Sequence, residues 1–597
     1  MSVGSSQTGV HAPPASAQGA AGITYTTVDE TYFEARRLKR YARVWSLWAL
    51  GVGAVISGHY SGWNLGLSQG FGSMFFATII IAIMYLGLTF SLAEMSPALP
   101  HTGGAYSFAR TSMGPWAGYV TGIAENIEFV LTPAVIVFVI GSYLTGIFGT
   151  DPSFQPVYWI VCYALFVGLN VVGVELSFKV TVTVTLMALA CLAVFYLSVI
   201  FSGKFDFSRW ALNMGPGGVE LPNGGGPFLP FGIAGIFATL PFAVWLFLAI
   251  EQLPLAAEES HDPQRDMPKG IIAGILTLIV SAFLVIFLNT SIEAGAVGYA
   301  KSTEPLLDGF RALVGSDIAK ILAAVAVIGL IASFHTIIFA YGRQIYSLSR
   351  AGYFPAFLSV THGTRKSPHV ALIAGAVLGL AVMMITWFTF GADAGGAAIG
   401  GTLLNMAVAG AMLAYFMQGM SYIVLKKKFA HLKRPYVSPF GLAGAAICML
   451  IAAITLYFQL TDPVFRAGVF GVVIYYAIMM AYFLLWGRHK LILSPEEEFA
   501  LTKGEADYKS HNPKTGSAPA RAPISLSCQV FPHEHAQDQN RCRCGRLCAK
   551  PRPAIRESRH CGCRRNHARQ IHGPRQVRIR PQRGLRHVRR GARLGLE

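Results

Sequence analysis

Three glutamates stand where an acid is costly. Glu125 and Glu128 lie in a run otherwise made of Ile, Val, Phe and Leu, and Glu251 follows the apolar stretch that begins at Phe228. A carboxylate near a bilayer centre costs at least about 2.5–3.5 kcal/mol unless it faces water, protein or a counter-charge. Glu125 and Glu128 are three apart, hence on one helical face, and Asn126 points elsewhere. Acids so placed suit a cation, either the ammonium of an amine-bearing substrate or a coupling proton. The alternative is structural, with the acids paired to Arg across helices or hydrogen-bonded in neutral form. Trp245, six residues ahead of Glu251, offers an indole face that attracts an ammonium by about 0.5–2 kcal/mol. Ser333 and His335 sit in the apolar run LIASFHTIIFAY, and Asn405 in another. A lone histidine in such a run is ordinarily an interhelical hydrogen bonder, although imidazole titrates in a range that permits a proton relay.

The elements that must hold these residues are membrane helices. Of the 597 residues, 53% are hydrophobic and only 13% charged, against about 25% charged in a soluble domain. That composition is that of a polytopic membrane protein. Twelve segments are expected near 45–68, 72–95, 115–148, 156–174, 180–202, 228–254, 270–291, 317–349, 369–389, 396–425, 442–460 and 466–487, with no cleavable signal ahead of them. Eighteen Lys and Arg residues fall on the N-terminal side of these spans and six on the other. The positive-inside rule then places both termini in the cytoplasm. Cys162, Cys191 and Cys448 sit singly in apolar segments and read as small hydrophobes.

Segment six carries Pro241, Glu251 and Pro254 in or beside its apolar run. A spanning helix that tolerates these is interrupted, with freed backbone groups turned towards a ligand cavity. Segment one has Gly51, Gly53, Gly58, Gly62 and Gly66 and a polar middle, Ser57-Gly58-His59-Tyr60-Ser61-Gly62. Glycines that only permit close helix packing are the plainer reading of segment one alone. Two interruptions five segments apart instead match a pair of inverted five-helix repeats with a site at their interface. The expected fold is therefore an all-α membrane protein of about twelve transmembrane helices, a 5+5 inverted-repeat transporter with broken helices one and six. Its expected divisions are a cytoplasmic tail (1–44), a first repeat (45–202), a second repeat with its preceding outer loop (203–425), an inner loop with two further helices (426–490), and a cytoplasmic tail (491–597). The residues expected around a substrate are Ile56, Ser57, Gly58, His59, Glu125, Glu128, Trp245, Leu248, Ala249, Ile250, Glu251 and Ser333.

Enzymatic readings find no support. There is no G-x-x-x-x-G-K-[ST] for a nucleotide-driven pump and no H-E-x-x-H for a metalloprotease, and no cofactor or metal is expected. A channel would need a continuous pore, whereas two broken helices point to an occluded site and alternating access. A nutrient sensor built on a transporter fold remains the other alternative.

Three long motifs carry a family resemblance. Leu92-Ala-Glu94-Met-Ser-Pro97-Ala-Leu-Pro100-His-Thr-Gly103-Gly104-Ala-Tyr106 with Gly114-Pro-Trp-Ala-Gly118 resembles the loop after helix two of the amino acid–polyamine–organocation superfamily. Trp245-Leu-Phe247-Leu-Ala249-Ile250-Glu251, with Ala257-Glu258-Glu259 and Asp262-Pro263-Gln264-Arg265-Asp266-Met267-Pro268, is similar to its sixth helix and following loop. Arg343-Gln-Ile-Tyr346-Ser-Leu-Ser-Arg350-Ala-Gly352-Tyr-Phe-Pro355 resembles its motif after helix eight. Within the superfamily, Val55 to Asn64 and Ala124 to Ala134 look most like ethanolamine permeases. The resemblance implies a secondary permease in the cell membrane that takes up ethanolamine or a similar small amine, with an amino acid as the alternative cargo. It also makes Trp245 similar to the aromatic gate of cationic amino acid relatives. Many proton-coupled relatives place a lysine midway along helix five, where this chain has Ala188, so the coupling ion stays open, with a proton among the candidates. The expected partners are the small amine and the lipid bilayer, and no nucleic acid is expected.

The tail is of another character. From residue 522 it holds 17 Arg and one Lys against four acids, +14 of the chain's +18. Cys542, Cys544 and Cys548, then Cys561 and Cys563, match no usual zinc spacing. The segment reads as disordered, and its Arg, Pro, Gly and Cys content is also what an out-of-frame reading of a GC-rich gene yields.

Overall fold

The computed structural model describes residues 22–493 apart from 27, 29, 210–213, 222–224, 392–394, 431 and 462–464. The arginine-rich tail and its cysteines lie outside the described residues. Among the described residues, ten helices are long and apolar enough to cross a membrane, and two further apolar helices are shorter. In chain order they are α1 (Val44–Val55), α2 (Phe71–Ala98), α3 (Pro115–Phe148), α4 (Gln155–Val172), α5 (Val174–Phe201), α6 (Gly232–Val244), α7 (Pro263–Thr290), α8 (Ser316–Arg350), α9 (His369–Phe390), α10 (Gly395–Lys428), α11 (Gly441–Thr461) and α12 (Arg466–Leu485). The short pair, α1 and α6, comes from the two segments read as interrupted.

Punctuation in the sequence explains the limits of the long helices. α3 starts with Pro115 in its first turn and stops at Gly149, whose φ of +65° is left-handed, the usual asymmetry of a proline that opens a helix and a glycine that closes it. Three short helices lie in connections that the sequence reading left as loops: Gly104–Met113 between α2 and α3, and Gly295–Ala300 and Pro305–Val314 between α7 and α8.

α3 runs through the middle of the bundle, against α10 on one side and α8 on the other; α5 packs on α8, α1 on α7, and α2 on both α6 and α7. Lipid tails are as apolar as leucine, so small residues that let backbones approach hold such helices together. A Cβ added at Gly410 of α10 would come within 2.6 Å of the Ala124 carbonyl oxygen on α3. α11 and α12 lie at the periphery and present Ile447, Leu450, Phe470, Val473, Ile474 and Ile478 outward, as a lipid-facing surface requires.

The segment ahead of α1 is tied to the residues that follow α12. Thr24 donates its N–H to the Arg488 carbonyl (2.9 Å) and Thr26 to that of Leu491 (2.7 Å). Further on, Tyr41 and Ala42 donate to the Glu259 carbonyl (2.7 and 2.9 Å).

Candidate functional site

α1 ends at Val55, continues as a 3-10 turn over Ile56–His59, bends through Tyr60 to Gly62, and resumes as Trp63–Gln69. Gly62 has a φ of +96° at the bend, which a side chain would resist. α6 stops at Val244, and after a turn the chain runs on as a 3-10 segment, Ile250–Glu259, with Pro254 inside it. Ala249 in that turn has a φ of +80°, a left-handed conformation that costs a non-glycine residue on the order of 1–3 kcal/mol.

The two breaks brace each other. His59 reaches the Leu246 carbonyl through Nε2 (3.0 Å) and Ser281 Oγ through Nδ1 (2.8 Å). A carbonyl only accepts, so Nε2 carries the proton and Nδ1 accepts from Ser281. Tyr196 closes this chain at 3.0 Å from Ser281 Oγ. Trp245 donates Nε1–H to the Ser61 carbonyl (3.1 Å), which makes its indole a strut between the breaks. A Cβ at Gly58 would collide with the Trp245 carbonyl oxygen, and one at Gly62 would stand 2.5 Å from Trp245 Nε1. The glycines of segment one therefore serve close packing and the interruption together. Ser333 of α8 fills the gap in α1: it accepts from the Ser57 N–H (2.8 Å) and donates to the Gly53 carbonyl (2.6 Å). Gln252 donates Nε2–H to the Leu50 carbonyl (3.1 Å). Ile56, Leu248, Ala249 and Ile250 are buried in these two turns.

The three glutamates are all buried, at 0–2% exposure, but the fold surrounds them differently. Glu125 accepts from Gln344 Nε2 (3.0 Å), and the backbone N–H groups of Ala105 and Tyr106 lie near its carboxyl. Glu128 and Glu251 face each other. Tyr415 of α10 donates to Glu128 Oε1 at 3.4 Å and stands 3.0 Å from the Tyr85 hydroxyl. Tyr415 and the Ala249 and Glu251 N–H groups also lie near the Glu251 carboxyl, yet none is aligned to hydrogen-bond either of its oxygens. Glu128 Oε2 is without a partner as well among the described residues. Tyr85, Tyr415 and Gln344 were missed by the sequence reading, and nothing distinguishes them in sequence from other polar residues of apolar segments.

The other polar residues singled out by sequence are knots between helices. His335 meets Asn170 of α4 (3.1 Å) and Ser177 of α5 (3.3 Å). Asn405 accepts from Gln459 of α11 at its carbonyl (3.1 Å) and at Oδ1 (3.3 Å). Asn126 meets the Tyr475 hydroxyl of α12 at 3.3 Å. At Ala188 the backbone carbonyl accepts from Tyr60 (2.8 Å), so a tyrosine from the α1 bend occupies the place considered for a lysine.

A charged network closes the N-terminal end of the bundle. Arg350 holds Glu258 through Nη2 (2.6 Å) and Nη1 (3.1 Å), and the Thr102 N–H adds a third donor (3.2 Å). Burial pushes the Glu258 carboxyl up, but Arg350 and His101 outweigh it and bring it down to about 2. Beside it Arg343 and Glu259 form a fully buried pair at 2.9 Å. The segment ahead of α1 covers both, with Tyr32 donating to the Arg350 carbonyl (3.0 Å) and Tyr346 to that of Arg36.

With this geometry in hand, comparison with known proteins adds a family. The family described as amino acid permease matches residues 43–484. An uncharacterised transporter of Rhizobium meliloti is 26% identical over 71% of this chain and 87% of its own length. A methylthioribose transporter of Bacillus subtilis is 24% identical over 77% of this chain and 96% of its own. A lysine-specific permease of Lactococcus lactis is 24% identical over 72% and 86%.

Proposed function

Because this chain belongs to the amino acid permease family, we propose that its cargo is a small primary amine of the ethanolamine class, moved by alternating access. Membership of that family, within the amino acid–polyamine–organocation superfamily, makes it a multi-pass membrane permease and not an enzyme. The observation that carries the cargo is the facing pair Glu128 and Glu251, with three carboxyl oxygens left without aligned donors. Two like charges at close range in a membrane core are untenable as such, and a cation or a proton completes them. An ammonium offers three donors and no acceptor, and the Tyr85 and Tyr415 hydroxyls beside the pair suit the hydroxyl of ethanolamine. No Lys or Arg forms an ion pair with these acids among the described residues, so a substrate carboxylate would meet no cationic side chain there.

The helix pairings support the repeat. Exchanging each helix for the one five places along turns α1 on α7 into α6 on α2, and α3 on α10 into α8 on α5, and all four pairings occur. Two inverted five-helix units have this property, and they rock about a site at their breaks. In this reading the Arg343 and Arg350 end faces the cytoplasm of a cell whose plasma membrane holds the permease.

Uptake of labelled ethanolamine into proteoliposomes, with lysine and leucine as competitors and with or without a pH gradient, tests the cargo. Saturable ethanolamine uptake that lysine does not compete away is expected. Uptake of lysine or leucine with none of ethanolamine refutes the amine and leaves an amino acid, as the names of several relatives suggest. Binding without flux would make the chain a sensor.

A further inference from the structure

We propose a second, peripheral binding site for a small organic ammonium ion, at the end of the bundle away from the N-terminal segment. A cavity of about 280 Å³ lies there, walled by Phe138, Ser142 and Thr145 near the end of α3, Gln155 at the start of α4, Trp387 near the end of α9, and Glu304 in the α7–α8 connection. It shares no residue with the Glu128–Glu251 cluster, and it stands whatever the central cargo is.

Two buried polar atoms of the lining have no hydrogen-bond partner among the described residues. Gln155 is only 7% exposed, and its Oε1, which can only accept, has no hydrogen-bond partner. Thr145 Oγ1 is likewise buried without one. Glu304 adds a carboxylate, and Gly146 leaves it room: a Cβ there would stand 3.1 Å from Glu304 Oε1. The charge is also unbalanced. Arg311 serves two acids at once, 3.5 Å from Glu304 and 2.7 Å from Asp308, which leaves one negative charge over. A ligand with several N–H donors and one positive charge meets both needs.

The walls choose between cations. Trp387 is fixed edge to face against Trp159 (5.1 Å, 85°), and with Phe138 it gives the cavity aromatic sides. Ring faces attract an ammonium and accommodate its methylenes. A hard divalent metal ion is instead held largely by carboxylates; Glu304 is the cavity's single carboxylate, and the described residues contain no cluster of three or more His, Cys, Asp or Glu placed to hold a metal. The volume suits a ligand of a few heavy atoms and excludes a drug-sized one. Burial pushes the Glu304 carboxyl up to about 7, with Arg311 pulling it down and Asp308 pushing it further up. Tyr143 is the remaining titratable group facing it. The carboxylate is therefore charged at pH 8 and mostly neutral at pH 6.

The test is equilibrium dialysis of the purified full-length protein against labelled ethanolamine at constant ionic strength. Two equivalents are expected to bind the wild type at pH 8, and one to bind Glu304→Gln. In a Glu251→Gln background, the remaining equivalent should weaken at least tenfold on adding Glu304→Gln or Gln155→Leu. It should also weaken about tenfold from pH 8 to pH 6, as one carboxylate titrating near 7 requires. Loss of the central equivalent alone speaks to the earlier reading and leaves this one standing. The peripheral site is refuted if Glu304→Gln lowers the melting temperature but leaves stoichiometry unchanged, since the acid would then only anchor Arg311. It is refuted equally if sodium chloride displaces the peripheral equivalent as well as ethylammonium chloride does.

Discussion

At Glu125 Gln344 meets the carboxylate and neither oxygen is left unpartnered, whereas Glu128 and Glu251 leave three oxygens without aligned donors. Glu125→Gln is therefore expected to keep ethanolamine affinity and lose stability, by about 1–3 kcal/mol for a buried network left mismatched. Glu251→Gln should instead weaken binding by about 2–5 kcal/mol, the usual loss when one partner of a buried charge pair is removed. Direct binding and thermal unfolding of the two variants separate these outcomes. Should Glu128 carry a coupling proton, Glu128→Gln will still exchange substrate but lose stimulation by a pH gradient. The sequence exposed all three acids because an ionisable group in an apolar run is conspicuous. It did not show which of them were satisfied, because Gln344 and Tyr415 come from segments eight and ten and no local pattern links them to segment three.

The interrupted elements were legible for the same kind of reason. Proline and glycine act on the backbone of their own neighbourhood, so Pro241, Pro254 and the glycines of segment one marked the breaks within a few residues. Their mutual bracing was not legible, because it depends on which carbonyl meets which side chain across α1 and α6. Gly58→Ala is expected to abolish uptake and lower the melting temperature, since its methyl group meets the Trp245 carbonyl and overpacking of this kind costs about 1–3 kcal/mol. Normal uptake by that variant would mean the breaks do not need to approach. Ala249→Gly should do the reverse for stability, relieving a left-handed alanine by about 1 kcal/mol, read as a higher melting temperature in detergent. Trp245→Leu removes a strut as well as a ring face, so a fall in affinity should come with a fall in stability. The short helices Gly104–Met113, Gly295–Ala300 and Pro305–Val314 were passed over because ten residues or fewer show too little periodicity to stand out from a loop.

For the molecule as a whole, hydropathy set out the helical bundle, and three motifs pointed to the family. The clamp at the N-terminal end was invisible as a clamp, although both halves of it lie inside those motifs. Arg343→Met should cost about 3–5 kcal/mol by stranding the buried Glu259 charge, while Arg343→Met with Glu259→Leu should recover most of it. For Glu258 the folded carboxyl lies below its ordinary 4.5, at about 2. Its stabilisation is thus complete above about 4.5 and is lost only as the pH falls towards 2. The stabilisation of wild type over Glu258→Gln should accordingly still be present at about pH 5 and fall away only as the pH drops towards 2, read as the difference in melting temperature, and a difference already gone at about pH 5 would contradict the assignment. The hydrogen bonds from Thr24 and Thr26 to Arg488 and Leu491 bear on how such a chain is made. Thr24 and Thr26 leave the ribosome long before their partners, so these two hydrogen bonds cannot form until α12 has been made, whereas Tyr32, Tyr41 and Ala42 find Arg350 and Glu259 earlier. A nascent chain stalled ahead of Arg488 would carry the stretch around Thr24 to Thr26 undocked and open to proteases, and its protection would report that synthesis had run through the final helix.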